Sequence, residues 1–258
     1  MIRDSRSQAW HRALLFGSVG LISIAAWLAL WQFGVTLHGP VHHHHAASDT
    51  TLTLLFLGAW TVMTMAMMLP TSVPLIATFD TIAGQRPDRS LLVALVVIGY
   101  LVTWVLLGLV FYSAGIIVQR LAVTSAWLQT HGYVGGAGLF IVAGLYQFSS
   151  LKYRCLDKCR SPLSFVLGHW QGQHDRRNAM WLGVHHGLFC VGCCWALMLL
   201  MFAVGVGNLG WMLVLGTVIA VEKNLPWGRR LSAPLGVALL AWGIVLAVNG
   251  LPGPGGVQ

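Results

Sequence analysis

The sequence predicts an all-α protein, a polytopic bundle of about seven transmembrane helices with the amino terminus inside and the carboxyl terminus outside. Of its 258 residues, 57% are hydrophobic and 9% are charged, whereas a soluble domain carries about 25% charged residues. The mean hydropathy is +0.74. Thirty glycines suit helices in lipid, where small residues let backbones approach closely. The sequence therefore indicates an integral membrane protein.

Apolar runs long enough to cross a bilayer define the predicted helices. The first run follows a short cytoplasmic tail (residues 1–12) and lacks a small-residue cleavage site, so no cleaved signal peptide is expected. The sixth run is short and could be re-entrant. Residues 251–258, rich in Pro and Gly, are expected to be disordered, which leaves 13–250 as the transmembrane domain. The seven predicted spans are Ala13–Phe33, Thr51–Pro70, Leu91–Val118, Val134–Ser150, Met180–Val206, Leu209–Val221 and Ala233–Asn249.

The orientation follows from the basic residues. Fourteen of the fifteen lysines and arginines fall on one side of the predicted spans, with Arg120 alone opposite, and the positive-inside rule makes that side cytoplasmic. Six of them lie in the predicted inner loop 151–178. The net charge of +8 therefore indicates topology and membrane lipid as a partner, and no nucleic-acid partner is expected. No G-x-x-x-x-G-K-[ST] loop is present, so no nucleotide is expected either. The expected location is the bacterial inner membrane.

The fifth span carries the most distinctive chemistry. At about 100° per residue, one face of its helix collects an imidazole, three thiols and two thioethers within roughly 140°. These are the ligands that soft or borderline metals such as Cu(I) and Zn(II) select. Alternatively, Cys and Met act there as ordinary packing residues. The face consists of His186, Cys190, Cys193, Cys194, Met198 and Met201.

The second span ends in a methionine-rich stretch, M-T-M-A-M-M-L-P. Helical spacing predicts that Met63 and Met67 share one side, while Met65 and Met68 point elsewhere. Thioethers bind Cu(I) without losing a proton, so Met63 and Met67 could complete a site with the fifth span. The alternative is that methionine fills space beside a proline kink.

Two further features lie on the predicted inner side. Cys155 and Cys159 are four residues apart and would share a helix face, where surrounding basic residues would favour the thiolate form. The same basic residues would also anchor this loop to anionic lipid. Glu222, if it faces the bundle, needs a buried partner, for which Lys152 and Lys223 are the candidates.

The predicted first outer loop, residues 38–49, is rich in histidine. Five imidazoles within eight residues can capture borderline metals. The alternative is a flexible polar linker. The histidines are His38, His42, His43, His44 and His45.

Four sequence blocks resemble a family of bacterial integral membrane proteins. They read M-x-M-A-M-M-L-P, K-x-x-C-L-D-K-C-R-S-P, G-x-H-H-G-x-x-C-V-G-C-C-W-A-L-M and E-K, and they extend from about Thr51 to Gly243. That family is described as metal-binding and of unknown function, and some members are labelled copper chaperones. The resemblance implies a metal-binding role without an established reaction. The outer histidines are not part of the shared pattern.

Three functions are consistent with these features. The first is a membrane protein that handles a soft metal, Cu(I) above all with zinc as an alternative, as a chaperone or a transfer or transport component. Its partner would be a metal donor or acceptor protein. The second is a membrane thiol–disulfide oxidoreductase that uses Cys190 and Cys193. The third is a structural subunit of a membrane complex. No catalytic residue is assigned.

Overall fold

The structure is a computed structural model that describes residues 2–37, 49–84, 86–125, 131–170, 175–204 and 208–250. Within these ranges the regular structure is entirely helical. Residues 38–48 of the histidine-rich loop and the tail 251–258 lie outside the described residues. Two short 3-10 helices occupy Pro70–Ser72 and Gly228–Leu231. The α-helices are α1 (Ile2–Leu37), α2 (Asp49–Met67), α3 (Val73–Ile82), α4 (Arg89–Thr124), α5 (Tyr133–Tyr146), α6 (Ser150–Cys159), α7 (Pro162–His169), α8 (Asp175–Val204), α9 (Leu209–Asn224) and α10 (Ser232–Asn249).

Five of these helices are long and apolar enough to cross a membrane. They match the first, second, third, fifth and seventh predicted spans. The fourth is a bent pair, since α5 and α6 meet at 67° and together would make a sixth crossing. Helix α9, the sixth predicted span, has 16 residues, or about 24 Å, which is shorter than a hydrocarbon core of about 30 Å. The all-helical class is confirmed, while the count of seven and the orientation stay predictions. The five helical segments are Ala13–Gln32, Thr50–Met67, Arg89–Leu121, Asp175–Val204 and Gly228–Asn249.

The segment predicted as the basic inner loop, 151–178, is largely helical instead. Ser149 caps α6 by accepting a hydrogen bond from the backbone N–H of Lys152 at 3.1 Å, and Pro162 occupies the first turn of α7, where a missing N–H costs nothing. The inner face of α6 is buried, Lys152 included. Lys223 is buried too. Two of the fourteen basic residues behind the orientation thus lie inside the bundle, which leaves twelve for the topology argument.

Helix α8 is the centre of the bundle and packs against α4, α5, α6, α7 and α9. In its apolar segment 56% of the residues are buried, against 11% in α1. Two glycines allow the close crossing with α4: a Cβ added to Gly183 would overlap the carbonyl of Val96, and one added to Gly99 would overlap the carbonyl of Met180. This crossing fixes the position of the cysteine-rich turn of α8.

Helix α2 ends at Met67, three residues before Pro70, because proline has no N–H to continue the ladder. The freed carbonyl of Ala66 accepts a hydrogen bond from Ser23 Oγ of α1 at 3.0 Å. The N–H of Met68 still bonds to Thr64, and the chain then tightens into the 3-10 turn. The residues of this 3-10 turn, from Pro70 onward, therefore depart from α-helical spacing.

Candidate metal centre

The three cysteines of α8 occupy one buried turn at the centre of the bundle. Cys190, Cys193 and Cys194 are 0%, 2% and 1% exposed, as expected for side chains at i, i+3 and i+4 on the face that meets the neighbouring helices. The thiols of Cys193 and Cys194 both donate to the carbonyl of Cys190, with Sγ–O distances of 3.0 and 2.9 Å. Both thiols are therefore held against their own helix, one turn after Cys190.

Helix α6 brings a fourth thiol to this turn. Cys159 is partly buried and packs against the apolar cluster that contains Cys193. Cys155 packs on Gly192, where an added Cβ would lie 2.5 Å from its Sγ. Two of the basic residues expected to surround these thiols turn elsewhere: Lys152 donates to the carboxylate of Glu222, and Arg160 donates to backbone carbonyls.

The methionine that reaches the thiols is Met68. Its Sδ lies 3.9 Å from Cys194 Sγ, although the sequence pattern assigned that contact to the side of Met63 and Met67. Met67 turns instead toward α9, where its Cε would lie 3.3 Å from a Cβ added to Gly216. The physical reason is that more than one face of α2 is buried, since Met63, Met67 and Met68 are 2%, 4% and 0% exposed. Met63 and Met198 are buried in the same apolar cluster as the thiols.

A lysine and a tyrosine complete the surroundings of Cys190. Lys223 Nζ lies 2.8 Å from Cys190 Sγ and 3.3 Å from Thr71 Oγ1, and the Tyr100 hydroxyl lies 3.1 Å from the same sulfur. A buried ammonium at this distance attracts a thiolate, the form of cysteine that binds metal. From the sequence, Lys223 was predicted only as a possible partner of Glu222, and Tyr100 was not predicted as part of the site. Adjacent residues on a helix diverge by about 100°, so Glu222 and Lys223 needed different partners.

The carboxylate of Glu222 has its own partners. Lys152 Nζ lies 2.8 Å from both of its oxygens, and Ser232 Oγ donates to one of them at 2.7 Å. The amide oxygen of Gln147 also accepts a hydrogen bond from Lys152. Because this pair is neutral by itself, the positive charge of Lys223 is left facing the thiols.

His186 lies one turn before Cys190 and is 4% exposed. Its Nε2 contacts Ser72 Oγ at 3.3 Å, and its ring stacks on Tyr100 with centroids 5.6 Å apart. Its Nδ1 is buried without a hydrogen-bond partner. A buried polar atom without a partner is costly in a folded protein, so this nitrogen is a candidate ligand atom.

Among the described residues, no three His, Cys, Asp or Glu side chains converge as a preformed metal site. The reason is that the thiols of Cys193 and Cys194 donate hydrogen bonds to a carbonyl of their own helix, which directs both thiols along the helix. A zinc site with four fixed ligands is therefore not preformed here. Two sulfurs that share one ion through bonds of about 2.3 Å lie at most about 4.6 Å apart. The 3.9 Å between Cys194 and Met68 meets that limit, so these residues fit Cu(I), which is satisfied by roughly two to four soft ligands.

Comparison with known proteins identifies a family. The model of a family described as copper chaperones, PpoB2, matches residues 57–246. No curated protein and no solved structure matches the chain. The matched segment covers α4 to α9 entirely and holds the four thiols, Met68 and Lys223. The chain belongs to the PpoB2 copper chaperone family.

Proposed function

We propose that this protein binds Cu(I) inside a bacterial inner membrane and passes it, as a chaperone or transport component, to or across that membrane. The ion is the cargo, and a metal donor or acceptor protein is the partner. The proposal includes seven spans with the amino terminus inside. Membership of the copper chaperone family and the helices of spanning length support it.

The observation that carries the proposal is the buried contact between Cys194 and Met68. A thiol and a thioether 3.9 Å apart, with Cys190 one helical turn before Cys194 on the same buried face, offer three soft donors away from water. Cu(I) selects sulfur ligands of this kind. Tyr100 connects the two chain segments that supply these donors. Its hydroxyl contacts Cys190 Sγ at 3.1 Å and donates to the backbone carbonyl of Met68 at 3.3 Å.

Charge balance favours Cu(I) over Zn(II) in this site. One Cu(I) ion with two thiolates carries a single negative charge, which the ammonium of Lys223, 2.8 Å from Cys190, cancels. Zn(II) with the same two thiolates is neutral and would leave that ammonium uncompensated. An unpaired charge in the bundle interior is expensive, so Lys223 selects for the monovalent ion.

The experiment measures copper in purified protein after anaerobic loading. The double change Cys190→Ser with Cys194→Ser should abolish stoichiometric copper binding while the protein still inserts and purifies. All variants also carry alanine at the five outer histidines, so that the loop cannot contribute metal. Met65→Leu is the control, because Met65 is half-buried and the described contacts of the thiols do not include it.

Each result distinguishes the three functions. Copper that survives the double change would reduce the thiols to packing residues and favour the structural subunit. A thiol mobility shift that follows redox state, in protein without copper binding, would favour the oxidoreductase. The burial of Cys190 and Cys193 at 0% and 2% exposure argues against exchange with a soluble thiol partner.

A further inference from the structure

We propose that His169 and His185 form a second Cu(I) site, at the surface end of the path to the thiols. This inference rests on the proposed function, since it names the place where the cargo is first held. The two histidines line a pocket of about 320 Å³ between the end of α7 and the first half of α8. Neither residue belongs to the thiol cluster.

The geometry of the two rings suits one shared ion. Their centroids lie 5.1 Å apart. Two imidazoles that each bind an ion through a nitrogen at about 2.0–2.1 Å place their ring centres roughly 5–6 Å apart at ordinary coordination angles. The observed separation of the two ring centroids falls within this range, so one ion fits between the rings without a change in their spacing.

The hydrogen bonding of His169 prepares it as a ligand. Its Nδ1 lies 2.9 Å from the carbonyl of Phe165, and because a carbonyl only accepts, Nδ1 must carry the proton. The neutral ring then presents the lone pair of Nε2. Histidines that bind metals commonly donate their other N–H to a backbone carbonyl in this way.

A continuous line of side chains leads inward from this pocket. The ring of Phe165 stacks on His169 at 4.5 Å and meets His186 edge-on at 5.7 Å. His186 is buried, and its Nδ1 has no hydrogen-bond partner. Cys190 follows one helical turn later on the same face of α8. The order of donors is thus two surface imidazoles, one buried imidazole and then the thiols.

The charges around the pocket suit a monovalent ion. Both imidazoles are neutral donors, and Arg177 lies in the pocket wall with them. Its guanidinium repels a divalent cation about twice as strongly as Cu(I) at the same distance. Transfer inward exchanges imidazole nitrogen for thiolate sulfur on the ion, so copper stays Cu(I) and no electron moves.

The first test is an equilibrium titration with Cu(I) under anaerobic conditions. The starting protein carries Ser at all five cysteines and Ala at the five outer histidines, which removes the thiol sites and the outer-loop site. We expect it to bind one weakly held Cu(I), and we expect His169→Ala with His185→Ala to remove that ion. Loss of even an outer partner of a metal ligand costs about 10–100-fold in affinity, so loss of both ligands should exceed that range. His131→Ala is the matched control.

The second test measures how fast the intact thiol site fills. In protein with native cysteines, His169→Ala with His185→Ala should leave the copper held by the thiol site unchanged but slow its loading by about 10-fold or more. No binding by the serine-substituted protein, or binding that survives both histidine changes, would overturn the histidine site. A different result would overturn the proposed function itself: protein with native cysteines that binds no copper at all.

Discussion

The change Glu222→Gln should destabilise the protein strongly. The carboxylate and the ammonium of Lys152 are 2% and 0% exposed, and the two carboxylate oxygens both lie 2.8 Å from Nζ. Glutamine keeps the shape and the bond to Ser232 but removes the charge, so the ammonium of Lys152 stays buried without compensation. Breaking a buried ion pair by removing one partner costs about 3–5 kcal/mol.

Thermal unfolding in detergent, followed by tryptophan fluorescence, measures this cost. A loss of 3–5 kcal/mol lowers Tm by roughly 6–20 °C in a protein of this size. Adding Lys152→Met to Glu222→Gln should restore most of the stability, because the orphan charge is then gone. Asp157→Asn is the control, since it breaks the pair with Arg229, in which both side chains are about half exposed, and such pairs contribute at most about 1 kcal/mol. A Tm for Glu222→Gln equal to that of Asp157→Asn would mean that breaking the buried Lys152–Glu222 pair costs no more than breaking an exposed one.

Three further predictions concern packing, the metal site and topology. Gly183→Ala should lower Tm, because its Cβ would overlap the Val96 carbonyl, whereas Gly138→Ala meets nothing within 4 Å and should not; equal Tm values would refute the close crossing. Met68→Leu should weaken Cu(I) binding about 10-fold or more in a chelator competition, while Met65→Leu should not; equal affinities would remove Met68 as a ligand. A reporter fused after Gln258 should be active only outside the cytoplasm, and cytoplasmic activity would mean an even number of crossings.

The helical class and the cysteine turn were predictable because both follow from periodicity. Apolar runs of spanning length mark helices, and i, i+3, i+4 spacing puts Cys190, Cys193 and Cys194 on one face of α8. The structure buries all three. These features depend on local sequence alone.

The contacts of Met68 and Lys223 were not predictable in the same way. The N–H of Met68 still bonds to Thr64 as in a helix, but Met63, Met67 and Met68 are all buried, and periodicity does not tell which of these faces meets the thiols. The pair of Lys152 with Glu222 was among the predicted alternatives, and the structure contains it, because a buried carboxylate needs a cation. The 67° bend between α5 and α6, by which Lys152 leaves an apparent surface loop, was not predictable. Lys223 contacts Cys190 only because α9 packs on α8, and the packing of two helices does not follow from local sequence spacing.

X-ray absorption at the copper edge of the Cu(I)-loaded protein, with the five outer histidines replaced by alanine, would show whether the buried sulfurs bind the ion. We expect a first shell dominated by sulfur at about 2.3 Å, which disappears when Cys190 and Cys194 are serine. A first shell of nitrogen or oxygen alone in protein with native cysteines would contradict it.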